Sequence, residues 1–155
     1  MEESLIEYFK EQMGCAVEYP NQYAPLTMAY IGDSVFDLLV KTYFVSQADM
    51  KVQKYHRLTS GVVKAQAQAQ MLHAIEPELT EAELDMYKRG RNAKSYTKAK
   101  NATTMDYRTA TGFEALIGYL YLDRQYRRLA DLVKMGFERT VVPLPENETD
   151  AGSDA

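Results

Sequence analysis

The sequence predicts an all-α domain. Apolar residues recur at helical spacing along most of the chain, strand-like alternation is absent throughout, and helix punctuation stands where helices should begin: Pro25 ahead of one apolar run and Thr80-Glu81-Ala82-Glu83 ahead of another. With 155 residues, 46% of them hydrophobic, the chain is long enough to bury a core without staples. One domain is expected over residues 1–142, followed by an acidic tail over 143–155. The single cysteine, Cys15, excludes a disulfide within the chain, and no apolar segment precedes a cleavage site, so a reducing cytoplasm is the expected setting.

The elements follow in order. Ser4 to Met13 alternates Leu5, Ile6, Tyr8 and Phe9 with glutamates and reads as a short amphipathic helix. Val17 to Pro25, with two prolines and Asn21, is a connector. Leu26 to Phe44 then has hardly any polar face, the pattern of a helix buried on most sides. Gly32, Asp33, Asp37 and Lys41 interrupt it, which excludes a membrane span. From Asp49 to Pro77, Tyr55, Leu58, Val62, Val63, Met71, Leu72 and Ile75 are spaced for one or two helices, and the alanine–glutamine run suits a smooth helix.

The capping box at Thr80 should start a helix running into Gly90, beyond which a loop or broken helix is expected. Asp106 reads as the cap of a second very apolar helix, Tyr107 to Leu122, with Glu114 at its centre. Gly112 and Gly118 cost that helix propensity, which is tolerable where another backbone comes close. A last amphipathic helix runs from after Asp123 to about Arg139.

Two features carry chemistry. The first is a carboxylate within each very apolar helix: Asp33, with Asp37 four residues on, and Glu114. A buried ionised carboxylate costs several kcal/mol, so it is kept where a cation, a donor network or a chemical task compensates. If the two helices cross, these oxygens suit magnesium or manganese. The competing reading puts Asp33 and Asp37 on a solvent stripe, Asp37 beside Lys41, and Glu114 beside Arg57 or Arg108. The second feature is a basic belt. Met86 to Ala110 holds seven cations against Asp106 alone, a balance of +6 that leaves −10 for the rest of a chain whose total is −4. Lys88, Arg89, Arg91, Lys94 and Lys98 are the candidates to hold the phosphates of a nucleic acid. A cluster of this kind also serves solubility alone.

Other patterns are missing: no Cys-x-x-Cys, no glycine-rich loop ending in lysine, no His-Glu-x-x-His, and no His-Asp pair of the kind helical metal phosphohydrolases use. The segments Ala29-Tyr30-Ile31-Gly32-Asp33-Ser34-Val35 and Phe113-Glu114-Ala115-Leu116-Ile117-Gly118-Tyr119-Leu120-Tyr121-Leu122-Asp123 resemble the two conserved segments of the ribonuclease III catalytic domain. The resemblance spans Pro25 to Glu138, and the absence of a separate double-stranded-RNA-binding domain points to the miniature branch of that family.

The resemblance implies a homodimer, with the first apolar helix near its interface. It also implies cleavage of double-stranded RNA that depends on Mg2+, or Mn2+ in its place, and leaves a 5′-phosphate. Further implied are a role in maturing large-subunit (23S) ribosomal RNA precursor and assistance from a large-subunit ribosomal protein. By the same resemblance Asp33 and Glu114 are the catalytic, metal-holding residues, and Asp37 is a further candidate ligand. Ala29 and Thr111 stand where the larger enzymes carry acids. They prompt an alternative, an RNA-binding or ribosome-assembly dimer that has lost cleavage.

Overall fold

A computed structural model describes residues 4–93 and 104–141. The expected basic loop, with Lys94 and Lys98, and the acidic tail lie outside the described residues. Among those described there are seven α-helices and no strand: α1 Leu5–Met13, α2 Pro25–Gln47, α3 Val52–Val63, α4 Ala65–Ile75, α5 Glu81–Asn92, α6 Thr104–Leu122 and α7 Tyr126–Thr140. No helix among them is long and apolar enough to cross a membrane.

The predicted punctuation has physical counterparts. Pro25 occupies the first turn of α2, where its missing N–H leaves no bond unmade. Thr80 Oγ1 accepts from the Glu83 N–H while the Glu83 carboxylate accepts from the Thr80 N–H, closing the capping box that starts α5. The stretch from Asp49 divides into two helices at Lys64, whose extended backbone ends α3 and begins α4. One boundary differs from expectation: α6 begins at Thr104, so Asp106 lies within its first turn instead of capping it.

Helix α6 is the shaft of the fold. Its Phe113, Leu116, Ile117 and Leu120 are fully buried and share one core with Phe36, Val40 and Phe44 of α2, Met71 and Leu72 of α4, Tyr87 of α5 and Leu132 of α7. Helix α2 departs from the reading of a helix buried on most sides. It buries one stripe, Met28, Gly32, Phe36, Val40 and Phe44, and leaves Tyr30, Leu38 and Val45 well over half exposed. The apolar residues that made it look enclosed form a second face that a single chain leaves open.

Glycines set how closely α6 is approached. A Cβ on Gly112 would lie 2.6 Å from the Tyr87 ring of α5, and a Cβ on Gly118 would collide with the Met28 carbonyl of α2. Both glycines forgo helix propensity for a close crossing, as their spacing suggested.

Candidate active site

The site lies where α2 and α6 cross. Gly32 faces the backbone of Glu114, with no room between for a side chain, so the next residue along α2 is carried to the same place as the Glu114 side chain. Phe36 and Phe113 fix the crossing from the core side by an edge-to-face contact, ring centroids 5.1 Å apart. The outcome brings the Asp33 carboxylate within hydrogen-bonding reach of Glu114.

The two acids are not equivalent. Asp33 is exposed on the solvent side of α2, where the competing reading of the sequence put it, and not buried as its apolar helix suggested. Glu114 is the partly buried member. Burial first, and the adjacent Asp33 charge second, push its carboxyl up to about 8. Near neutral pH, without a metal, the Glu114 carboxyl therefore keeps its proton. Asp33, rather than Arg57 or Arg108, is the neighbour that governs Glu114.

Asp37, one turn beyond Asp33, makes a 2.9 Å ion pair with Lys41. Thr111, three residues before Glu114, donates its hydroxyl to the Tyr107 carbonyl at 3.0 Å. Ala29 packs beside Met28, Met86 and Ala115. Among the described residues no group of three acidic, histidine or cysteine side chains forms a metal cluster. Asp33 and Glu114 present two carboxylates together, which would fit a hard divalent cation that keeps several waters and takes further oxygens from a phosphate. A cation there would also relieve the repulsion that raises Glu114.

The belt divides. Lys88 is exposed on the last turns of α5. Arg91 lays its guanidinium over the Tyr87 ring at 5.4 Å and donates from Nε to Asn92 Oδ1. Arg89 is turned the other way, donating to the Asn21 and Tyr23 carbonyls at 2.8 and 3.1 Å, and so clasps the connector that leads into α2. Its place beside other cations in the sequence gave no sign of this, because its partners are backbone groups far away in the chain. Sequence reasoning anticipated a close approach at Gly118 but missed its partner Met28, since that role exists only once both helices are in place.

Known proteins share much of this sequence and fold. The Ribonuclease III domain family matches residues 26–125. Mini-ribonuclease 3 of Clostridium tetani is 48% identical over 115 residues, 74% of this chain and 76% of its own length. Mini-ribonuclease 3 of Brevibacillus brevis is 44% identical over 118 residues, 76% and 88% of the two chains. That of a Thermoanaerobacter strain is 38% identical over 138 residues, 89% and 97%. A crystal structure of a Fusobacterium nucleatum protein superposes with a TM-score of 0.69 at 25% identity, covering 76% of this chain and 93% of that one. The chain belongs to the ribonuclease III family, in its Mini-ribonuclease 3 branch, and is an endoribonuclease.

Proposed function

We propose that the chain is a Mg2+-dependent endonuclease of double-stranded RNA, working as a homodimer in the cytoplasm with Asp33 and Glu114 as its catalytic pair. The observation that carries this reading is the meeting of those two carboxylates at the α2–α6 crossing. Asp33 and Glu114 would hold the divalent ion, Mg2+ or Mn2+. When bound, the ion supplies charge neutralisation at a phosphodiester and lowers the pKa of attacking water. Glu114 would give up its proton on becoming a ligand, and Asp33 would offer an oxygen on the solvent side, where a strand can lie. Asp37, the further candidate ligand, is paired with Lys41 one turn away and would have to leave that pair to reach a metal. Lys88 and Arg91 are suited to phosphates beside the site, with Lys94 and Lys98 as further candidates from the sequence.

The exposed apolar face of α2 supports the homodimer. Tyr30 is 80% exposed, Leu38 65% and Val45 62%, on the helix that also carries Asp33. A second copy meeting this face about a two-fold axis would make an isologous contact and bring two sites together. Large-subunit ribosomal RNA precursor as substrate, with a large-subunit ribosomal protein as helper, follows from the family resemblance.

The test is cleavage of duplex RNA with Mg2+, reading the chemistry of the product ends. Products with 5′-phosphates, formed by the parent and not by folded Asp33→Asn, are expected. Tight duplex binding without any metal-dependent product would favour the non-cleaving assembly dimer.

A further inference from the structure

Outside the site, one surface stands apart by charge. Residues 50–75 carry Lys51, Lys54, Arg57 and Lys64 and not one aspartate or glutamate, in a chain whose net charge is −4. Outside α5, several cations are matched with acids: Lys41 with Asp37, Arg124 with Glu7, Arg128 with Glu83, Lys134 with Glu138 and Arg139 with Glu78. Among the described residues, no ion pair involves any of the four side chains on and around α3.

Their spacing gives them one direction. Lys54, Arg57, Gly61 and Lys64 fall three, four and three residues apart, a single helix face, while Thr59 and Val62 are buried on the other side. Lys51 stands at the N-terminal end of the same helix. From Lys51 to Lys64 the row is roughly 20 Å long at the helical rise. It ends in a depression of about 310 Å3 lined by Gly61, Lys64, Gln66, Gln70, Thr140 and Val141. The glutamine amides and threonine hydroxyl there offer donors and acceptors matched to ribose hydroxyls. A Cβ on Gly61 would touch nothing within 4 Å, and Lys51, Arg57 and Lys64 are exposed, with Lys54 half-buried between them.

We propose that the α3 face and the start of α4 form a second anchoring surface for duplex RNA, gripping the sugar–phosphate backbone beyond the segment that is cut. The inference rests on the reading of the chain as a double-strand endoribonuclease and extends its contact beyond α5. A polyanion is the partner that an unneutralised row of cations on an acidic protein favours, and a row of this length spans several phosphates.

The test uses the full chain with Lys51, Lys54, Arg57 and Lys64 all changed to Gln, beside a charge-keeping set (Lys51→Arg, Lys54→Arg, Arg57→Lys, Lys64→Arg). Binding of long duplex RNA without divalent metal is measured between about 50 and 200 mM salt. The neutral set is expected to bind more than about tenfold more weakly at low salt and to flatten the log–log salt slope by up to about 3.6, near 0.9 for each of four lost contacts. The charge-keeping set should retain the parental slope. Cleavage of a saturating short duplex should be unchanged in both. An unaltered slope in the neutral set overturns the proposal, even if that set no longer binds polyglutamate, which would reassign the face to an acidic protein. If the parent cuts duplex RNA while the slope is unaltered, this surface alone is removed. A parent that neither binds nor cuts duplex RNA removes the functional reading as well.

Discussion

Gly32 of α2 and Gly118 of α6 meet across the closest approach of two helices: a Cβ on Gly32 would lie 2.7 Å from the Gly118 nitrogen, and one on Gly118 would lie 3.0 Å from the Gly32 nitrogen. Either alanine must push backbone, not a pliable side-chain tip. Gly32→Ala and Gly118→Ala are each expected to cost about 1–3 kcal/mol or more by overpacking, and to lower the melting temperature by roughly 2–4 °C per kcal/mol. Cleavage should fall beyond the loss of folded protein, because the same shift separates Asp33 from Glu114. Equal losses in folded fraction and in rate would show that the crossing supports stability only.

The carboxylates should be separable from the scaffold. Asp33 is exposed and lies outside the core, so Asp33→Asn should leave the fold intact while removing a contribution of several kcal/mol to the cleavage step, on the order of 10³-fold. Circular dichroism and single-turnover cleavage of duplex RNA check the two halves of this expectation.

Glu114 predicts a pH dependence with a definite sign. Its folded pKa of about 8 lies above the ordinary 4.5, so between those values the folded chain holds a proton that the unfolded chain has lost. Its contribution to stability is complete below the unfolded value and is lost as pH rises through the folded one. Urea unfolding of the metal-free protein and Glu114→Gln should diverge across that window, with the variant favoured increasingly toward alkaline pH. A metal that took Glu114 as a ligand would expel its proton, so calorimetry in buffers of different ionisation enthalpy should detect proton release below about pH 8.

Much of this arrangement was legible in the chain, for identifiable reasons. The α5 start could be read because a capping box is a local device, complete within Thr80 to Glu83. Asp33 and Glu114 could be singled out because a charge in an apolar run contradicts its surroundings. Which of the two is buried could not be read, since periodicity does not say whether an apolar face is covered by the same chain or left open, and α2 is open along Tyr30, Leu38 and Val45. Arg89 was equally opaque: charge composition cannot distinguish a guanidinium facing solvent from one turned onto the Asn21 and Tyr23 carbonyls.

That clasp separates Arg89 from its neighbours. Arg89→Ala should lower thermal stability and leave the salt slope of RNA binding near the parental value. Lys88→Gln with Arg91→Gln should do the reverse, changing the slope by roughly 2. Melting curves and salt titrations on the two variants decide it.

Arg128 gives a prediction remote from the site. Burial by itself would raise the Glu83 carboxyl, but hydrogen bonds from Arg128, with Nε and Nη2 each at 2.8 Å, hold it below the usual carboxylate range. Arg128→Ala strands that buried charge at the α5 cap and should cost roughly 3–5 kcal/mol. Glu83→Gln combined with Arg128→Met should recover part of the loss in chemical denaturation. Recovery of nothing would mean that the packing of Arg128, and not its charge, was lost.

Because α6 is sheathed by α2, α4, α5 and α7, its amide hydrogens should be among the last to exchange with deuterated solvent. Those on the outer side of α2 are left to the protection of whatever settles there. One acid is therefore mounted on the most enclosed of the described helices and the other on a rod still bare along one flank. Docking on that flank would quiet Asp33 more than Glu114, tying the precision of the cutting pair to assembly.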